Sequence, residues 1–256
     1  MNPNESFEMN DLPLGRGCKI LDIHPCGILA IEKGTGVLSH PNSKKASNRT
    51  LLSCPFNFEE ESYCWMDRKG QKKNLFLVHR LDSATSGVML TTNKPDMADL
   101  LKDAFSKQVV EKTYHALVHY NGQPIRKVWQ DCMNKQISAG KIRVTTSKHG
   151  VSAVTNVTLE KTKKNPFGLV ALLKLRPKTG RTHQLRVQAA KRKLPILGDQ
   201  TYGNFHLNRK INKTSRNQRL FLHASRIKID LKDKTGSSVY WEIESKLPNL
   251  FDQFLK

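Results

Sequence analysis

Apolar residues recur along this chain in short runs separated by turn-forming residues. Ile28–Ile31, Leu75–Leu81, Val88–Thr92 and Tyr114–Val118 have the β-branched and aliphatic composition of strands, as do Ile142–Thr146, Ala153–Leu159, Val170–Leu175, Leu220–Ile229 and Val239–Ile243. Between them lie Lys33-Gly34-Thr35-Gly36, the loop Ser83-Ala84-Thr85-Ser86-Gly87, Gly140, Gly150 and Asn165-Pro166, all composed for turns. Helical spacing appears where Met97, Leu101, Ala104 and Phe105 share one face, with Asn93 as the expected cap and Pro95 near the first turn. A second helix is predicted over Thr182–Lys193. There His183, Val187, Ala190 and Leu194 fall on one face, while Gln184, Arg186, Gln188 and Lys191 point elsewhere. Leu247–Leu255 reads as a short closing helix. Strands outnumber helices and short turns join many of them. This predicts an α+β fold with a mixed, largely antiparallel sheet and flanking helices, not a doubly wound α/β fold. Residues 1–19 are expected to be a flexible lead-in and residues 20–256 a single domain, since no linker divides them. Pro41–Lys73 is polar and irregular and reads as a surface excursion.

Composition narrows the choice of partner. Lys and Arg number 43 against 22 Asp and Glu, a formal charge of +21 spread through the whole chain. Such an excess points to a polyanion, nucleic acid before an anionic membrane. No apolar stretch reaches the ~20 residues of a membrane helix. The polar N-terminus resembles neither a secretory signal nor a transit peptide. Cys18, Cys26, Cys54, Cys64 and Cys132 are scattered and form no Cys-x-x-Cys pair, which suits reduced thiols in a cytoplasm and argues against a zinc ribbon. His115 and His119 are spaced like metal ligands but sit in an apolar strand, so a structural role is favoured. No metal is expected.

Three constellations could carry chemistry. Asp82 leaves an apolar strand and enters a turn, where it is either an Asx-turn residue or a nucleophile; Arg80, on the same strand face, would keep it ionised. Thr179-Gly180-Arg181-Thr182-His183-Gln184-Leu185-Arg186 opens a basic helix that either holds phosphate or is merely solvated. Lys112-Thr113-Tyr114 is a basic, aromatic strand start whose Tyr could equally pack at a core edge.

Together these residues resemble a known family. His79-Arg80-Leu81-Asp82-Ser83-Ala84-Thr85-Ser86-Gly87 is similar to the signature of the RluA-type pseudouridine synthases. Lys112-x-Tyr114, the Thr179–Arg186 run, Pro195-Ile196-x-Gly198-Asp199-x-x-Tyr202-Gly203 and Leu222-His223-Ala224 follow in that family's order. The likeness runs from about Ile20 onward. It implies the pseudouridine synthase fold with a central basic cleft, and an isomerase that flips a uridine out of structured rRNA or tRNA. It implies that Asp82 attacks ribose C1′ or assists formation of a glycal. Tyr114 would stack near the base and help remove the C5 proton, Arg186 would pair with the catalytic Asp, and Arg80 would enter the vacated stack. His79, Thr85, Lys112, Arg181, His183 and Gln184 are expected to meet RNA. No cofactor is implied, an S4-type RNA-binding domain is not expected, and a monomer is expected. Two positions depart from the family pattern: Gly34 stands where Pro is common, and Gln188 where His is common. A non-catalytic RNA-binding module on the same fold is the competing reading. A two-carboxylate glycosidase is less well supported, because beside Asp82 the only candidate is Asp199, where a turn role fits better.

Overall fold

A computed structural model of the chain describes residues 11–42, 49–138, 141–215 and 218–256. The chain opens with β1 (Lys19–His24), β2 (Ile28–Lys33), β3 (Phe56–Asn57), β4 (Ser62–Met66), β5 (Lys72–Leu77) and β6 (Ser86–Thr92), then α1 (Pro95–Ser106). It continues with β7 (Glu111–His119), β8 (Val128–Ser138), β9 (Lys141–Thr146), β10 (Val151–Asn165), β11 (Gly168–Pro177), α2 (Gln184–Lys191) and α3 (Phe205–Ser215). It ends with β12 (Leu222–Lys232), β13 (Ser238–Glu244) and α4 (Asn249–Leu255). The fold is α+β, as expected, with antiparallel hairpins as its main construction.

Within the span 20–256, read from the sequence as one domain, the chain forms two compact units. One comprises Met1–Val110 with Arg226–Ser245, the other Glu111–Ser225 with Lys246–Lys256. No linker marks the boundary, because it falls inside β12 and at the start of β7. Composition does not change there.

In the first unit β1 pairs β2, β2 pairs β6, and the order β3-β4-β5-β6-β12 continues the sheet, with β13 beside β12. Ile28, Leu29, Ala30 and Ile31 are all fully buried, so β2 is covered on both faces. α1 lays Met97, Ala98, Leu101 and Ala104 on this core, each large side chain contributing about 1.5–3 kcal/mol by burial. Its N-cap is Lys94, not Asn93: Asn93 lies one residue too early for its side chain to reach the first-turn amides. The expected excursion over 41–73 contains β3, β4 and the start of β5, which form a meander, with Leu51, Leu52 and Tyr63 fully buried; residues 43–48 lie outside the described residues. The expected flexible lead-in is packed from residue 11 onward, where Gly15 N–H donates to Leu51 O at 2.8 Å and Ser53 N–H to Pro13 O at 2.7 Å. Residues 1–10 lie outside the described residues.

In the second unit the order is β12-β7-β11-β10-β8-β9. β10 and β11 form a long hairpin whose turn is fixed by Phe167 N–H donating to Asn165 Oδ1 at 2.9 Å. α4 adds Phe251 and Phe254, whose rings lie 5.4 and 4.9 Å from that of Phe221. The turn signal at Gly140 lies outside the described residues. No helix among the described residues is long and apolar enough to cross a membrane.

Candidate active site

β5 ends at Leu77, earlier than the predicted Leu81, and residues 78–82 run on without a ladder partner into the turn that carries Asp82. Other groups hold that stretch. Ser39 Oγ accepts from Leu81 N–H at 3.1 Å and donates to Leu81 O at 2.8 Å. Asp82 O accepts from Thr85 N–H at 3.0 Å. Ser83 O accepts from Gly36 N–H at 2.8 Å and from Lys33 Nζ at 3.1 Å. Ala84 O accepts from Thr35 Oγ1 at 2.8 Å. Each carbonyl from 81 to 84 therefore has a donor, and the backbone under the half-buried Asp82 is fixed on every peptide.

Lys33 is the central support. It is fully buried, and its ammonium donates to Gly34 O at 3.0 Å, Val37 O at 2.7 Å and Ser83 O at 3.1 Å. Three donors meet three carbonyls, which offsets the cost of burying the charge. The neighbouring departure at Gly34 has a steric cause: a Cβ there would lie 2.5 Å from Gly17 O, so the packed segment before β1 excludes proline.

The other expected residues of this loop divide by exposure. His79 Nε2 accepts from Leu90 N–H at 2.9 Å, and its ring stacks on Phe105 at 4.4 Å, so these contacts tie the loop to β6 and α1. Thr85 is buried. Arg80 is exposed, and its Nη1 donates to His40 Nε2 at 2.9 Å.

In the second unit Lys112 and Tyr114 alternate onto one face of β7, both half-buried, and burial pulls the Lys112 pKa down. α2 starts at Gln184, after His183 in the left-handed region at φ 54°. Gln184, Arg186 and Gln188 turn inward, against the alternative of a merely solvated face, because each finds partners. Gln184 Oε1 accepts from Thr179 Oγ1 at 2.7 Å and Arg181 N–H at 3.0 Å, while its Nε2 donates to Val154 O at 3.1 Å and Thr155 Oγ1 at 3.0 Å. These buried contacts give Gln184 a fold-building role. Gln188, fully buried, accepts from Thr155 Oγ1 at 2.7 Å and donates to Asp131 Oδ2 at 3.0 Å and Ala153 O at 3.1 Å. The amide thus accepts once and donates twice, a set that a neutral imidazole, with one N–H, cannot supply, which accounts for Gln at that departure from the family pattern.

Arg186 is buried and bidentate on Asp199, with Nε to Oδ2 at 2.8 Å and Nη2 to Oδ1 at 2.9 Å. Its guanidinium carbon lies 5.2 Å from the centre of the Tyr202 ring, and Tyr202 Oη meets His183 Nδ1 at 2.9 Å. Asp199 Oδ1 also accepts from Thr201 N–H at 2.8 Å and Tyr202 N–H at 3.0 Å. Burial pushes the Asp199 pKa up, but the guanidinium and these amides outweigh it and hold the carboxyl below its usual range. Asn208, on α3, receives Gly198 N–H at 2.9 Å and donates to Asp199 O at 2.9 Å. Gly198 is obligatory, with φ 74° and a hypothetical Cβ 1.8 Å from Arg219 O. The sequence therefore marked the Asp199 turn but missed its second function as the anchor of Arg186.

The family model of RNA pseudouridylate synthases matches residues 27–191, well over half of the chain. The chain belongs to this family. The match takes in Asp82, Tyr114 and Arg186. Among curated relatives, ribosomal large subunit pseudouridine synthase C of Rickettsia felis is 37% identical over 233 residues, covering 90% of this chain and 68% of the relative. The synthase of the same name from Rickettsia bellii is 37% identical over 180 residues, covering 69% and 55%. Ribosomal large subunit pseudouridine synthase D of Borreliella burgdorferi is 29% identical over 235 residues, covering 89% and 65%. The family member described here thus spans between about half and two thirds of these relatives' lengths. Two human structures share its fold. RNA Pseudouridylate Synthase Domain Containing 1 has a TM-score of 0.63 at 19% identity, covering 98% of this chain and 97% of that one. RNA Pseudouridylate Synthase Domain Containing 4 has a TM-score of 0.61 at 23% identity, covering 92% and 91%.

Within this synthase-family chain, one loop of the first unit gathers His79, Arg80, Asp82 and Thr85. The start of α2 in the second gathers Arg181, His183, Gln184 and Arg186. Ser39 and His40 are supports that motif reading did not single out; Lys33, Asp199 and Tyr202 stood inside its motifs, but without these supporting roles. Lys33 could have been noticed as a lysine closing an otherwise apolar strand.

Proposed function

We propose that this chain is an RNA pseudouridine synthase, with Asp82 as the carboxylate that acts at ribose C1′. The supporting observation is the loop over 81–84, in which every carbonyl is held while the Asp82 side chain stays half exposed. A nucleophile gains most when its backbone cannot drift from the attack geometry. The C1′–N1 bond breaks, the uracil turns over, and a C1′–C5 bond forms. C5 loses its proton to solvent and N1 takes one up, so atoms and electrons balance within one nucleotide. Tyr114 and Arg186 take the tyrosine and arginine roles of the family pattern. Arg80 fills the stack that the uridine leaves, since a base inside a helix is unreachable until it is extruded. Lys112, Arg181 and His183 contribute to a basic RNA-binding cleft.

Large-subunit ribosomal RNA is the first substrate class, and transfer RNA the second. The test is tritium release from transcripts of each labelled with 5-tritiated uridine. Release from one or both is expected; release from neither overturns the proposal. With a charge of +21, RNA affinity should fall by about a hundredfold or more between ~50 and ~200 mM salt. A flat response in a filter-binding titration would remove the basic surface from the argument.

Gly180 supplies a further test. It is exposed, its φ is not in the left-handed region, and a Cβ there would meet nothing within 4 Å. The fold does not require glycine here, but close passage of an RNA backbone beside Arg181 would. Gly180→Ala should leave thermal stability unchanged or raise it by up to ~1 kcal/mol, while RNA turnover falls severalfold. Full turnover would place this loop away from the RNA.

A further inference from the structure

The segment over residues 49–77 belongs to none of the motifs, yet it builds a meander against the residues flanking Asp82. Its Phe56 stacks under the His40 ring at 5.4 Å and 18°, and Phe58 packs against the same ring edge-on at 6.3 Å. Its Tyr63, fully buried, donates from Oη to Ser39 O at 2.9 Å. The meander therefore fixes Ser39 and His40 together. Ser39 in turn fixes Leu81, and His40 reaches Arg80, the residues on either side of the peptide that leads into Asp82.

The His40 contact has a defined polarity. Its Nδ1 lies 2.7 Å from Pro41 O, which can only accept, so Nδ1 carries the proton. Arg80 Nη1 can only donate, so Nε2 presents its lone pair at 2.9 Å. The ring is the neutral Nδ1–H tautomer, clamped in plane by Phe56. An exposed arginine ordinarily samples many rotamers; this one is held by an acceptor that is itself held.

We propose that His40 is a positioning residue for Arg80, orienting the guanidinium for entry into the RNA stack, and that the meander serves as its brace. This rests on the role proposed for Arg80. Holding the guanidinium ready removes ordering that would otherwise be required as the uridine flips.

The experiment is a double-mutant cycle on single-turnover tritium release, using large-subunit ribosomal RNA transcripts carrying 5-tritiated uridine. His40→Phe keeps a ring on Phe56 but deletes the acceptor. It should slow release about tenfold, the scale of one hydrogen bond to a charged group, with half-saturating RNA and melting temperature unchanged. His40→Gln, which can offer Oε1 as acceptor, should recover most of the rate. In an Arg80→Met background, His40→Phe should cause no further loss. The brace is overturned if His40→Phe is as fast as the unaltered chain, or if its loss is undiminished in the Arg80→Met background. It is also overturned if His40→Gln is as slow as His40→Phe. If Arg80→Met alone leaves the rate intact, the role given to Arg80 fails and the inference with it; no release by the unaltered chain overturns the proposed function itself. Apart from RNA, ¹⁵N shifts of the His40 ring should report the Nδ1–H tautomer and move at Nε2 on Arg80→Met. No movement at Nε2 would show that the contact is not made in solution.

Discussion

Asp82→Asn should lower tritium release from uridine-labelled RNA by on the order of 10³ or more, while RNA affinity stays within about twofold. The substitution is nearly isosteric; it removes the negative charge and exchanges one acceptor oxygen for an NH2 donor. The loop that carries it is held through backbone carbonyls at 81, 82, 83 and 84, none of which depends on the carboxylate. The loop should therefore keep its shape, so a lost rate reports lost chemistry and not lost structure. Circular dichroism and melting temperature check that premise. Release at an undiminished rate would remove Asp82 from the reaction, whereas no release by the unaltered chain would make a non-catalytic RNA-binding role the better account.

Asp199→Ala should have the largest effect on stability. It leaves Arg186 buried without its bidentate partner and orphans the Thr201 and Tyr202 amides. Breaking one side of a buried pair costs about 3–5 kcal/mol, roughly 10 °C of melting temperature for a chain of this size. The sign with pH follows from the depressed Asp199 pKa. A carboxyl whose folded pKa lies below its unfolded value, about 3.9, contributes stability above that value and loses it as pH falls through the folded pKa. Asp131 behaves in the same way. Burial pushes its pKa up, but hydrogen bonds from Lys191, Arg192 and Gln188 outweigh this and hold it low. Carboxylate-linked stability should therefore be flat from neutral pH to about 5 and fall steeply below about 4. Asp199→Asn should flatten part of that acid limb. An unchanged melting temperature in Asp199→Ala would mean that the pair contributes little to folding.

The strands were legible where apolar residues ran together, as in Ile28–Ile31 and Val170–Leu175, because such runs fit only a covered sheet. The loop that carries Asp82 was legible as a motif. The inward turn of α2 was not, since Gln184, Arg186 and Gln188 look like a wet face until Thr179, Thr155, Asp131 and Asp199 are placed around them. Thr155 and Asp131 are distant in sequence, and Thr179 and Asp199 lie in the turns on either side of the helix, so none leaves a periodic pattern. α3 was missed because few of its residues are apolar; Leu207 and Ile211 are buried among charged neighbours, and the buried Asn208 acts through the Asp199 turn. The meander over 49–77 was hidden by its polar composition, although Leu51, Leu52 and Tyr63 supply a complete buried face.

The interleaving of the two units has a consequence for biosynthesis. The first unit's core includes Ile227, Ile229, Val239 and Ile243, which emerge from the ribosome only after all of Glu111–Ser225 has been made. At ordinary elongation rates that wait is roughly ten seconds, during which β6 lacks its neighbour β12 and part of an apolar core stands open. The second unit in turn waits for Phe251 and Phe254 on α4. Neither half can finish vectorially. The nascent chain carries two incomplete cores until residues 246–256 are made, so apolar surface stays open to aggregation for a time set by the order in which the chain visits its own units.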